Sequence, residues 1–125
     1  NKMAQLCSAF IADENGICVD TGEIKISKKK LFTQFVKTCT VLTFKIGKQN
    51  YLAHVDAFNP SMKEELKQSL TKIKLNKVKH VHVWRGWMCY DNCPSFEITK
   101  YALSFFNRNV KLTIHKTVEA QTIWS

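Results

Sequence analysis

Residues 39–56 run Cys39-Thr40-Val41-Leu42-Thr43-Phe44-Lys45-Ile46, then Gly47-Lys48-Gln49-Asn50, then Tyr51-Leu52-Ala53-His54-Val55-Asp56. Two segments rich in β-branched and aromatic residues around a glycine-led polar loop predict a β-hairpin. With residues 47–50 as a symmetric loop, Thr43 faces His54, and strand alternation sets Cys39, Val41, Thr43 and His54 on one face. Such a pairing leaves the thiol and the imidazole about four residues apart, roughly 13 Å along the strand. Direct opposition requires a slip of two residues or a bulge. The hairpin therefore permits a cysteine–histidine pair without requiring one.

Beyond the hairpin, Pro60 and the run Ser61-Met62-Lys63-Glu64 carry two helix-start signals, a proline suited to a first turn and a Ser-x-x-Glu capping box. Met62, Leu66, Leu70 and Ile73 follow at helical spacing and predict a helix over residues 60–74 with one buried stripe. A strand is expected over residues 78–84 and a second amphipathic helix over 95–107, with Ile98, Tyr101, Ala102 and Phe105 in register. Alternating Val110, Leu112 and Ile114 mark another strand, and residues 118–124 a last one. Ahead of the hairpin, residues 3–12 and 22–26 read as strands around the polar Asp13-Glu14-Asn15-Gly16 turn, while Leu31, Phe32, Phe35 and Val36 fit a half-helix or a buried extended approach equally well. The expected class is α/β: mixed, largely antiparallel sheet with two amphipathic helices packed on it, one domain over residues 1–125.

The 125-residue chain is 45% hydrophobic and 23% charged, enough apolar material for one packed core. It holds no apolar run long enough to span a bilayer and opens on no signal-peptide pattern, so no membrane partner is expected. A formal charge of +9, from 19 Lys and Arg against 10 Asp and Glu, favours an acidic protein surface, nucleic acid or anionic lipid as partner, against the plainer reading of a solvated lysine surface. Five cysteines, Cys7, Cys18, Cys39, Cys89 and Cys93, leave one unpaired in any compartment. The favoured expectation is an intracellular, reducing setting with all five free.

The order of elements after Cys39, with the residues at its key points, resembles the cysteine amidohydrolases: chemotaxis receptor glutamine deamidases, N-terminal asparagine amidohydrolases and deamidating toxins of the cytotoxic necrotizing factor type. The likeness covers residues 38–114. It rests on Thr38-Cys39 ahead of an apolar strand, on Leu52-Ala53-His54-Val55-Asp56 closing the hairpin, on the helix that follows, on a strand ending in Arg85-Gly86, and on the second helix and strand. Where those families carry a glycine-rich turn before the cysteine, this chain has Phe35-Val36-Lys37-Thr38. The resemblance implies Cys39 as nucleophile and His54 as acid/base. It offers Thr33 or Asp56 as the group that orients the ring, and needs no cofactor or metal. The implied reaction is protein deamidation, glutamine to glutamate or asparagine to aspartate. A thiolate is nucleophilic enough near neutral pH to attack a resonance-stabilised amide once a base takes its proton. The same imidazole then hands that proton to the leaving ammonia. On the plainer reading, Cys39 is a core thiol and Asp56 a turn residue before the helix.

Two other constellations compete. His80 and His82 share a strand face, and Cys89 and Cys93 follow, which together offer four zinc-type ligands at a non-standard spacing. The stretch Trp84-Arg85-Gly86-Trp87-Met88-Cys89-Tyr90, beside Lys77 and Lys79, is the most aromatic of the chain. Arg85 and Trp87 are expected to form a wall of the substrate cleft, and the non-enzymatic alternative for the stretch is nucleic-acid binding by stacking and charge.

Overall fold

A computed structural model describes Cys7 and residues 16–125. The hairpin is its centre: β4 (Thr40–Ile46) and β5 (Gln49–Val55) pair antiparallel across Gly47 and Lys48. Gly47 takes a φ of +60°, the left-handed conformation that closes a hairpin in two residues. Gln49 and Asn50 thus join the ladder instead of the turn. The register becomes Ile46 opposite Gln49, Thr43 opposite Leu52 and Val41 opposite His54, which corrects the expected pairing of Thr43 with His54. Continued one step past Thr40 and Val55, it sets Cys39 opposite Asp56 and diagonal to His54.

Three more strands extend this hairpin. β2 (Ile24–Ser27) adds to β5 and β6 (His80–Arg85) to β4, both antiparallel, and β7 (Lys111–Lys116) lies parallel to β6, giving the order β2-β5-β4-β6-β7. A parallel neighbour needs a crossover, and α2 (Pro94–Leu103) supplies it. A smaller sheet, β1 (Gly16–Cys18), β3 (Lys30–Thr33) and β8 (Ile123–Trp124), runs in the order β1-β3-β8. The open segment around Leu31 is therefore strand, and the strand expected over 118–124 shrinks to two residues. The strand expected over residues 3–12 lies, apart from Cys7, outside the described part of the chain.

Alternation divides the large sheet into two buried faces. Leu42, Phe44, Tyr51, Ala53, Val55, Val81 and Val83 face the helices and pack on Met62, Leu66, Leu70, Ala102 and Phe106. Cys39, Val41 and Leu52 face the small sheet and pack on Val19, Leu31, Val36 and Ile123. β4 and β5 are consequently buried on both sides, which is why they read as continuous apolar runs. Each fully buried Leu or Val in this double core contributes about 1.5–3 kcal/mol. Two mixed, largely antiparallel sheets with two helices packed on them confirm the α/β expectation.

α1 (Met62–Thr71) buries Met62, Leu66 and Leu70, one stripe as the spacing requires. Its expected capping box is not formed: Ser61 makes no side-chain cap. Asn59 takes over, its Oδ1 accepting the Ser61 N–H at 3.0 Å and its carbonyl the Met62 N–H at 3.0 Å. α2 begins at Pro94, where the missing N–H costs nothing, and stops at Leu103, short of the expected 107.

The cysteines depart most from expectation. Cys7 bonds Cys18 and Cys89 bonds Cys93, so Cys39 alone is free. A reducing setting with five free thiols does not match these bonds. The zinc constellation is also closed, since its two cysteines bind each other, and the described residues hold no group of three or more candidate ligands. No helix among them is long and apolar enough to cross a membrane.

Candidate active site around Cys39 and His54

Strand parity and register put Cys39, Val41, His54 and Asp56 on the face turned to the small sheet, and β3 brings Thr33 against it. Thr33 Oγ1 lies 2.7 Å from His54 Nδ1 and 2.8 Å from the Val19 carbonyl oxygen. A hydroxyl has one proton, and the carbonyl can only accept, so Thr33 donates to Val19 and accepts from Nδ1–H. The tautomer follows. His54 carries its proton on Nδ1 and presents a bare lone pair at Nε2.

That lone pair has no partner. His54 is fully buried, and Nε2 is the single buried side-chain nitrogen or oxygen among the described residues without a hydrogen bond. An orphaned polar atom in a core is uncommon enough to demand an explanation, and a catalytic role is one. Burial pulls the imidazole down from 6.5 to about 4 and keeps it neutral. Protonation would place a second N–H, and a charge, where nothing accepts them.

Cys39 is 7% exposed. Burial first, and then the negative carboxylate of Asp56 across the strand pair, push its thiol up to about 12. The resting site therefore holds a neutral thiol and a neutral imidazole, not the thiolate–imidazolium ion pair of a charged dyad. The diagonal positions of Cys39 and His54 set their Cβ atoms within about 7–8 Å, a gap that a thiol and a ring can bridge. The bond itself is not made, because Nε2 is unpartnered. Two surface cavities among the described residues, of about 520 and 410 Å³, are lined by neither Cys39 nor His54.

Of the two candidates for orienting the ring, Thr33 holds it and Asp56 does not. Asp56 Oδ1 accepts the Phe58 N–H at 3.0 Å and its carbonyl the Asn59 N–H at 3.1 Å, a turn role, while its charge bears on the thiol. Arg85 shares the parity of Val81 and Val83 and so lies on the helix face, away from Cys39. Its Nε donates to the Cys89 carbonyl at 2.8 Å and its guanidinium sits 4.1 Å over the Phe96 ring. Arg85 is thus a brace for the 86–93 loop and does not wall the Cys39 site. Trp87 is half-buried in that loop, its N–H on the Val36 carbonyl at 3.3 Å.

The same loop clamps the approach to the nucleophile. Gly86 N–H donates to the Cys39 carbonyl at 3.0 Å and Met88 N–H to the Lys37 carbonyl at 2.9 Å. A Cβ on Gly86 would lie 2.2 Å from the Lys37 oxygen, so only glycine permits this approach. Phe35 holds a φ of 57°, the conformation a glycine would adopt, just ahead of Cys39. Sequence reasoning missed the Val19 carbonyl, a backbone group with no signal of its own, and the strain at Phe35. The glycine after Arg85 was the available pointer to the clamp.

No protein-family model matches the chain, and no curated protein matches it. The likeness to the cysteine amidohydrolases rests on the quoted residues.

Proposed function

We propose that the chain is a cysteine amidohydrolase that deamidates a glutamine, asparagine or N-terminal amide of a protein, with Cys39 as nucleophile, His54 as acid/base and Thr33 as the orienting residue. The observation that carries this reading is the unpaired, unprotonated Nε2 of a buried histidine on the same sheet face as the one free cysteine. Entry of the amide displaces the cover over Cys39 and brings the thiol to Nε2. His54 takes the thiol proton as sulfur attacks the carbonyl carbon, and the imidazolium is stabilised through Nδ1–H on Thr33. The proton then leaves with the amide nitrogen as ammonia, and the thioester on Cys39 remains. Water activated by the same ring adds to it and restores the thiol.

A formal charge of +9 suits a substrate with an acidic surface. The intracellular expectation implied five free cysteines; two disulfides suit an oxidising setting instead. A second reading, a non-catalytic module that docks on an acidic protein or nucleic acid, draws support from the same charge and from the raised thiol. Chloroacetamide, an electrophile that carries an amide, separates the two. Under the enzymatic reading it alkylates Cys39 of the folded protein, and His54→Gln slows that reaction by about a hundredfold, the lower end of what a general base contributes. Equal rates in the two proteins would remove His54 from the chemistry.

A further inference from the structure

The small sheet does not cover the whole face of the large one. Beyond β8, towards the Gly47 turn, a cleft of about 520 Å³ opens between the two sheets, within the ~300–1,000 Å³ of pockets that take small ligands. Its lining includes Trp84 and His82 from β6 and Trp124 from β8, so indole rings from separate sheets meet in one space. On the floor the rings form a fixed array. Trp84 stacks on His115 at 3.9 Å and 13°, and His80 on His82 at 4.0 Å. One polar atom of each ring is already used: His82 Nδ1 lies 2.9 Å from His115 Nε2, His80 Nε2 lies 2.7 Å from Thr113 Oγ1, and Trp84 Nε1–H donates to Thr43 at 3.3 Å. What a ligand meets is mainly apolar surface, with the second nitrogen of each imidazole beside it. Trp124 on the opposite wall is 41% exposed while resting on Phe32 at 4.9 Å.

The rim supplies the complementary feature. Lys45, Lys77 and Lys79 are exposed, line the cleft and form no ion pair among the described residues, and no Asp or Glu lines it. Stacking surface at the floor and three cations at the mouth match a planar ring carrying a phosphate. The geometry points to a nucleoside phosphate site, with the base between Trp84 and Trp124 and the phosphate on Lys45, Lys77 and Lys79. Thr43 in this cleft stands four steps along the chain from Cys39, roughly 13 Å of extended strand, and neither Cys39 nor His54 lines it, so the site is distinct from the proposed catalytic centre and does not depend on it. The unit can arrive as a free nucleotide or as the end of a single strand.

Calorimetric titration of the whole chain at low salt, with AMP, adenosine, inorganic phosphate and a 5′-phosphorylated dA oligomer, tests this. AMP is expected to bind saturably, and adenosine or phosphate alone at least about tenfold more weakly. Trp124→Ala, at an exposed position, and the exposed pair Lys77→Gln and Lys79→Gln should each weaken AMP binding by about tenfold. Tighter binding of the oligomer than of AMP identifies a strand end as the source, and equal or weaker binding a free nucleotide. No saturable binding of either, or affinity unchanged in both variants, overturns the site.

Discussion

Lowering the pH should destabilise this protein through His54 in a way that can be isolated. In the unfolded chain the imidazole titrates at 6.5, and in the fold burial holds it at about 4. Between those values the unfolded chain binds a proton that the native state refuses, so stability falls as the pH falls. The contribution is intact above about pH 6.5 and is lost by about pH 4. At about 1.4 kcal/mol for each pH unit, the loss is about 3 kcal/mol, a large fraction of a typical domain's stability. Urea unfolding of wild type and His54→Gln, followed by tryptophan fluorescence across that range, reads it directly. His82 and His115 are also lowered, first by burial and then by their neighbouring histidines, and so weaken both proteins alike on acidification. They cancel in the difference. Wild type minus variant should decline by about 3 kcal/mol from about pH 7 to about pH 4. A difference that stays flat would show that His54 is protonated freely, and the buried neutral base would be lost with it.

Thr33→Val keeps the shape but strips both hydrogen bonds, leaving Nδ1–H and the Val19 carbonyl unpaired in the core. We expect a loss of about 2–4 kcal/mol in denaturant unfolding and a drop in turnover, and Thr33→Ser should restore most of both. Asp56→Asn removes the charge that helps raise the Cys39 thiol while its amide oxygen can keep the Phe58 bond. Chloroacetamide alkylation of Cys39 should become faster in that variant, and a slower reaction would refute the electrostatic role. Alkylation of the denatured, unreduced protein should add one group, and five after reduction, as read by intact mass. Additional groups before reduction would contradict the bridged cysteines.

The hairpin, both helices and their order were legible because period-2 and helical patterns are local properties of the chain. Register was not, because it turned on whether Gly47 would take a left-handed φ and close the turn alone. The second layer escaped notice since β1 and β8 span three and two residues, too short to show alternation, and both pair with β3, whose Leu31 joins Ile123 and Val41 in one buried cluster. Arg85 could have been placed correctly from parity with Val81 and Val83. Thr33 entered through a resemblance, and its two hydrogen bonds depend on a third strand that sequence alone did not bring to His54. Pairing of Cys7 with Cys18 and Cys89 with Cys93 is one choice among many connectivities, and burial of Cys39 is a tertiary outcome that no spacing encodes.

The decisive measurement is mass spectrometry of acidic candidate proteins after incubation with wild type, Cys39→Ala and His54→Gln. Hydrolysis of one amide replaces NH₂ by OH and adds about 1 Da, and the gain should arise with wild type alone while both variants remain folded. A gain that persists with Cys39→Ala would contradict the assignment of the nucleophile, and the absence of any gain with wild type across the panel would contradict amide hydrolysis itself.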